Sequence, residues 1–215
     1  MNVDNRVYSK MFNWLFIGLL ITFISGYCLS INQTLLTSIL SVGVIPIIVI
    51  ELIIAFAMGF FVQKLSPIMT KVFYIIYSIT TGVTFGTIFL AYEMGSIISI
   101  FLVTAVLFGL LALYGYKTNK DITKIGTILC IALIATIIIS ILNIFIFHSS
   151  QLEMGLSILV ILIFLGYVAY DMNNIKYLVG TMDEDKAAVY GAFQLYLDFI
   201  NIFIRLLELF GKRND

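Results

Sequence analysis

The sequence has few charged residues and few of the residues that build catalytic or metal sites. Only 11% of its 215 residues are charged, and it has 2 cysteines and 1 histidine. An average soluble domain is about one quarter charged. The formal net charge is zero, so the chain has neither the basic field of a nucleic-acid-binding protein nor an acidic tail. We therefore expect no nucleic-acid partner.

The scarce cysteines and histidine do not form a recognisable site. Cys28 and Cys130 lie inside apolar runs, and no metal-ligand spacing surrounds either, so packing roles are predicted. His148 lacks the partner motif of a Ser–His or zinc protease. We expect no cofactor.

Apolar residues fill most of the chain, and 61% of it is hydrophobic. A helix needs about 20 apolar residues to cross a hydrocarbon core of roughly 30 Å. The runs found here are apolar on all faces and too long for barrel strands. They predict an all-α integral membrane protein, a seven-helix bundle forming one transmembrane domain over residues 1–215, with the lipid bilayer as its surroundings. The runs cover residues 13–31, 40–62, 72–92, 97–116, 125–147, 152–171 and 189–210.

The first run follows a polar N-terminal stretch and has no small-residue cleavage site after it, which favours a transmembrane helix over a signal peptide. Basic residues fall at alternate joints, while the other joints carry Glu93, His148 and Glu153 without Lys or Arg. The positive-inside rule therefore places the N-terminus in the cytoplasm. The basic joints carry Arg6, Lys10, Lys64, Lys71, Lys117, Lys120, Lys124, Lys176 and Lys186.

The seventh run leaves two topologies open. A full crossing places Lys212 and Arg213 outside, against the rule, whereas a re-entrant segment returns them to the cytoplasm. We favour the crossing. Gly82 and Gly86, four residues apart, predict close packing between helices in lipid.

Acidic residues inside membrane helices are rare, and each is a candidate functional group. Glu51 lies near the middle of the second run, and it either lines a cavity or is a buried, neutral hydrogen-bonding group. Asp171 closes the sixth run, where a helix end near the interface could tolerate a charge. Asp198 lies well inside the seventh run, where Arg205, two turns on, could satisfy it.

The predicted topology brings two of these residues together. Asp171 comes just before a basic joint, and Asp198 follows that joint by roughly three turns. Two carboxylates in one site cannot both ionise cheaply, so the pair is predicted to hold a proton and to act as a proton sensor. When ionised, the same oxygens suit a calcium ion.

Four stretches resemble the transmembrane Bax-inhibitor-motif family, and the likeness covers nearly the whole chain from the second run onward. The resemblance implies a seven-helix bundle with the last helix near its centre, and a bacterial member acting as a pH-sensitive calcium leak. Asp171 and Asp198 would be the sensor, and Glu51 would line the ion path. The stretches are Thr81–Phe89 (TGVTFGTIF), Ala112–Tyr116 (ALYGY), Tyr167–Asp171 (YVAYD) and Leu195–Phe203 (LYLDFINIF).

The chain departs from the family pattern at one point. Bacterial relatives place a basic residue near the cytoplasmic end of the second helix, where it latches the aspartate pair closed. Here residues 61–64 read FVQK. Either Lys64 reaches the pair, or Gln63 provides a weaker hydrogen bond, or the latch is missing.

The leading hypothesis is a calcium-permeable leak gated by protonation of Asp171 and Asp198, in a bacterial plasma membrane, with calcium ions and protons as ligands. The alternatives are a proton-coupled cation exchanger and, less favoured, an intramembrane aspartyl protease. Asp198 lacks the Gly-x-Gly-Asp setting of such proteases, so we expect no enzyme activity. A role in cell survival through protein partners is a further alternative, and no docking surface is identifiable from the sequence.

Overall fold

The computed structural model describes residues 5–43, 45–118 and 120–214, which are almost entirely helical. A 3-10 turn, Val62–Lys64, extends α3, and a π-helix, Asn143–Phe147, extends α6. The α-helices are α1 (Asn5–Ile31), α2 (Gln33–Ser41), α3 (Ile45–Phe61), α4 (Pro67–Ala91), α5 (Met94–Lys117), α6 (Thr123–Leu142), α7 (Ser150–Leu178) and α8 (Glu184–Phe210).

Within these described residues, 7 helices are long and apolar enough to cross a membrane, namely all except α2. The predicted all-α fold with seven membrane helices is confirmed. In the most apolar stretch of α8, 78% of the residues are buried, against 11–44% in the others. The prediction that the C-terminal helix is the most enclosed is therefore also confirmed.

Several helices extend beyond the predicted apolar runs, because polar residues continue a helix past the hydrocarbon. α1 begins at Asn5 instead of residue 13, and α7 continues to Leu178. The second predicted run, 40–62, differs at its start. The short helix α2 ends at Ser41, Gly43 adopts a left-handed conformation with φ 100°, and α3 begins at Ile45.

The described chain divides into two compact groups of residues. The first unit holds the described residues up to 94 together with 175–196 and 213–214, and the second unit holds residues 95–174 and 197–212. Residues 1–4 and 215 of the predicted domain 1–215 lie outside the described part, and the prediction of one domain stays a prediction.

In the first unit, α1 and α4 pack at close range. The Tyr74 hydroxyl donates to the Trp14 carbonyl at 3.0 Å. A methyl group at Gly82 would lie 1.8 Å from the Ser25 hydroxyl oxygen, and one at Gly86 would lie 3.1 Å from the Leu29 Cβ. The predicted packing role of Gly82 and Gly86 is confirmed.

Within the first unit, the start of α8 and the residues that follow its end each contact other first-unit residues. At its start, Asp185 pairs with Lys10 of α1 on the side of the basic joints. Beyond its end, Asn214 donates its backbone N–H to the Ala91 carbonyl at 3.0 Å, and Arg213 forms an isolated β-bridge with Tyr92. The segment is a single helix of 27 residues, long and apolar enough to cross a membrane. The side on which its C-terminus lies stays a prediction.

In the second unit, many large apolar side chains of α5, α6 and α7 are exposed. A soluble protein rarely presents so much contiguous apolar surface, whereas a lipid-facing helix does. These side chains include Leu102, Val106, Leu110, Ile128, Ile131, Ile134, Phe145 and Leu162.

We predict that Gly115→Ala destabilises the protein by about 1–3 kcal/mol, the usual cost of overpacking. The added methyl group would lie 2.2 Å from the Ala169 carbonyl oxygen, which is backbone and cannot move aside cheaply. Gly109→Ala is the matched control on α5, because nothing lies within 4 Å of the added methyl group there. Thermal unfolding of both variants in detergent measures the difference, and equal stabilities would contradict the prediction.

Candidate functional site

Asp171 and Asp198 both lie in the second unit, inside helices and away from water. Only 4% of Asp171 and 3% of Asp198 is exposed. The expectation that Asp171 sits at a helix end is wrong, because α7 continues for two further turns to Leu178. The Asp171 side chain is buried within the protein, so solvent at a helix end does not satisfy its charge.

The two carboxyl groups share a hydrogen bond. The second oxygen of Asp198, Oδ2, accepts no hydrogen bond from the residues that the structure describes. An ionised carboxylate can only accept hydrogen bonds, so a bond between two carboxyl groups requires a proton on one of them. Two buried acids in contact could share one proton, and the role of the pair as a proton sensor stays a prediction.

Close contact with α5 fixes the part of α7 that carries Asp171. Gly115 leaves no room for a side chain, since Ala169 lies directly against it. The Asn173 amide donates to the carbonyls of Gly115 at 3.4 Å and Thr118 at 3.1 Å. These bonds satisfy carbonyls at the C-terminal end of α5, which have no partner within the helix.

Aromatic packing fixes the part of α8 that carries Asp198. The neighbouring Phe199 ring meets Phe101 and Phe108 of α5 edge-on, with centroid distances of 5.2 and 5.6 Å. Such contacts have a preferred geometry as well as a large buried area. Both carboxyl-bearing helices are thus packed on α5.

Arg205 forms its ion pair with Glu208, one turn further along α8. Its Nη1 donates to Glu208 Oε2 at 2.7 Å, and both side chains are about two-fifths exposed (39% and 41%). The helical spacing also allowed an ion pair between Arg205 and Asp198. In the structure, Arg205 pairs with Glu208 instead.

The aspartate pair alone cannot enclose a calcium ion. Calcium takes 6–8 oxygen ligands, and two carboxyl groups offer four oxygens. In the described part of the chain no group of three or more His, Cys, Asp or Glu side chains could hold a metal ion. A calcium ion at Asp171 and Asp198 would need water or backbone oxygens as well, and its binding there stays a prediction.

Glu51 lies in the first unit and is half-buried. The Thr81 hydroxyl donates to Glu51 Oε1 at 3.0 Å, whereas the neighbouring Thr80 hydroxyl donates to the Tyr77 carbonyl at 2.9 Å. Of the two roles expected for Glu51, the structure shows the hydrogen-bonded one without full burial. Its place in an ion path stays a prediction.

Gln63 and Lys64, the two candidate latch residues, are exposed on the 3-10 turn that follows α3. The Lys64 ammonium lies 5.6 Å from the centre of the Phe61 ring. The Gln63 backbone carbonyl accepts a hydrogen bond from Lys186 at 3.0 Å. A latching role for either residue stays a prediction.

Lys186 is a buried residue whose role the sequence did not indicate. Only 8% of it is exposed, and its ammonium donates to the carbonyls of Gln63 and Leu65. It thereby caps the end of the α3 extension and ties it to the start of α8. From sequence alone, Lys186 is one of several basic residues at the cytoplasmic joints, and only its position in the first turn of α8 distinguishes it.

The chain is similar to one family of known proteins over almost its full length. The profile of the family described as "Inhibitor of apoptosis-promoting Bax1" matches residues 4–215. The inner membrane protein YbhL of Escherichia coli K12 is 35% identical over 215 residues, which cover 95% of this chain and 91% of the relative.

Two further relatives come from distant bacteria. An uncharacterized protein of Borreliella burgdorferi is 37% identical over 220 residues, covering 99% of this chain and 94% of the relative. An uncharacterized protein of Deinococcus radiodurans is 30% identical over 210 residues, covering 96% and 90%. The chain belongs to the Bax inhibitor-1 family of integral membrane proteins.

Proposed function

We propose that the protein is a calcium leak of the bacterial plasma membrane, opened by loss of a proton from the Asp171–Asp198 pair. The observation that carries this proposal is the hydrogen bond between two carboxyl groups that are both almost fully buried. Membership of a family with an inner membrane protein among its bacterial relatives supports the location.

The gating mechanism follows from charge. With one proton present, the two side chains attract each other and hold α7 against α8. Without it, two negative charges stand at hydrogen-bond distance in a medium of low dielectric, where their repulsion amounts to several kcal/mol. The helices then separate, or a divalent cation binds between the carboxylates. Loss of the proton thus opens the bundle and makes the site attractive to calcium.

We predict that calcium flux into proteoliposomes is greater at pH about 8 than at pH about 6, since a higher pH favours loss of the proton that the two carboxyl groups share. Asp171→Asn and Asp198→Asn should give low flux with little pH dependence. An amide can donate the hydrogen bond at any pH, so the closed arrangement persists. A calcium-sensitive dye inside the vesicles measures the flux.

Asp121→Asn is the control for that experiment, because this carboxylate lies in the exposed joint before α6 and should not affect gating. Wild-type flux and pH dependence are expected for it. The gating mechanism is rejected if the Asp171 and Asp198 variants also retain both.

Glu51 is proposed as a second acidic group of the ion path, since its carboxylate is only half-buried and is held in place by Thr81. The family resemblance implies the same role.

We predict that Glu51→Gln lowers calcium flux several-fold without changing its pH dependence, because the aspartate pair stays intact. Thr81→Ser, which keeps the hydroxyl donor, should behave as wild type. A shifted pH dependence in Glu51→Gln would show that Glu51 belongs to the sensor instead.

A proton-coupled exchanger is the second candidate, because a shared proton between two carboxyl groups is also what exchange requires. The two functions differ in whether each calcium ion moves protons the other way.

We predict that calcium entry causes no matching proton efflux when the membrane potential is clamped with potassium and valinomycin. A leak has no obligatory counter-ion, so a pH dye inside the vesicles should stay constant. Proton movement in fixed proportion to calcium would favour the exchanger.

We propose that the protein is not an intramembrane protease. Asp171 and Asp198 lie in the uninterrupted helices α7 and α8. No loosened backbone lies beside either residue to pair with a substrate strand, which supports a non-enzymatic role.

A further inference from the structure

A cavity with polar and apolar lining residues lies in the second unit at the outer end of α6, α7 and α8. Its volume is about 420 Å³, within the range of small-molecule and ion-binding cavities. Polar side chains in a membrane helix bundle face such water-accessible spaces far more often than lipid. Those lining this outer cavity include Ser140, Asn143, His148, Glu153, Ser157 and Arg205.

The joint that forms the wall of the outer cavity is held in a defined conformation. The Asn143 side chain both donates to the Ser149 carbonyl at 3.1 Å and accepts from the Ser149 N–H at 3.0 Å. Asn143 opens the π-helix, and His148 ends it in the left-handed conformation with φ 49°. π-Helical turns are rare and often occur at functional sites.

Burial increases from the mouth of the outer cavity to its floor. His148 and Glu153 are exposed, whereas Leu156, Ser157 and Val160 are buried. The cavity therefore opens at the joint between α6 and α7, which the positive-inside rule places on the outer face. An acidic side chain lies at the mouth, and two apolar side chains lie at the floor.

The outer cavity lies on the same helix faces as the aspartate pair. Arg205 follows Asp198 by two turns of α8, a separation of about 10 Å along the axis. On α7, Glu153 precedes Asp171 by five turns, which returns to the same side of the helix. The faces of α7 and α8 that line the outer cavity are therefore the faces that carry the pair.

We propose that the outer cavity is the chamber through which cations reach Asp171 and Asp198, and that the Arg205–Glu208 ion pair controls their entry. This inference rests on the proposed calcium leak. Arg205 is the basic group of the cavity lining, and an unopposed guanidinium there would repel a divalent cation on its way to the pair. Glu208 offsets that charge at 2.7 Å, while Glu153 attracts cations to the mouth.

Charge substitutions at this ion pair test the control of entry. Arg205→Gln should raise calcium flux several-fold by removing the repulsion, and Glu208→Gln should lower it several-fold by leaving the guanidinium unopposed. Arg205→Lys keeps the charge and should stay near wild type. Size-exclusion chromatography of each variant identifies any that fails to fold, in which case the remaining variants and the cysteine test below decide.

Cysteine accessibility tests the chamber independently of Arg205. In a Cys28→Ser, Cys130→Ser background, Ser157→Cys should react with a membrane-impermeant, positively charged thiosulfonate added outside right-side-out vesicles, and calcium flux should fall. Ile158→Cys is the matched control, because its side chain is 47% exposed among lipid-facing residues and should not react.

Two outcomes overturn the inference in distinguishable ways. If the wild type passes calcium and depends on Asp171 and Asp198, but modified Ser157→Cys and both charge-removing variants conduct as before, the chamber is rejected and the leak stands. If the wild type passes no calcium, the proposed function is rejected, and this inference with it.

Discussion

A carboxyl group cannot stay charged and unpaired inside a membrane helix bundle, and this constraint governs the arrangement of the protein. Burial of an isolated charge costs several kcal/mol or more, so the group becomes neutral, finds a partner or faces water. Asp171 and Asp198 meet the constraint by sharing a hydrogen bond, and Glu51 meets it with the Thr81 hydroxyl and partial exposure. Only the shared bond requires a proton, which is why the pair is the sensor in the proposed function.

Two carboxyl groups can share a proton only if α7 and α8 are held at a fixed separation. Small residues and aromatic rings hold both helices against α5. Gly115 allows the backbone of α7 to lie against α5, and Asn173 bonds to the same end of α5. Phe199 holds α8 through edge-on ring contacts with Phe101 and Phe108. These contacts do not themselves involve a titrating group, so a change of charge acts first on the pair.

Hydropathy was sufficient to predict the seven membrane helices, because the cost of placing backbone or charge in lipid acts locally along the chain. It did not predict α2 or the extension of α7 beyond Asp171. Both segments contain polar residues, and hydropathy detects only apolar runs. Asp171 and Asp198 could be predicted as a pair from their topology. The cap by Lys186 and the outer cavity around Arg205 could not, because each joins residues far apart in sequence through tertiary packing alone.

The attachment of α8 limits how the bundle can respond to repulsion within the pair. Its N-terminal end is tied to the first unit by Lys186 and by the Asp185–Lys10 pair, and the residues beyond its C-terminal end are tied to Tyr92 and Ala91. A helix bonded at both ends cannot slide along its axis without breaking several of these contacts. Repulsion between the two carboxylates would therefore act sideways, by moving α7 away from α8 or by bending α8 between its two fixed ends. A sideways movement opens space along the faces that carry the pair and the outer cavity, which is the direction a conducting state of the proposed leak requires.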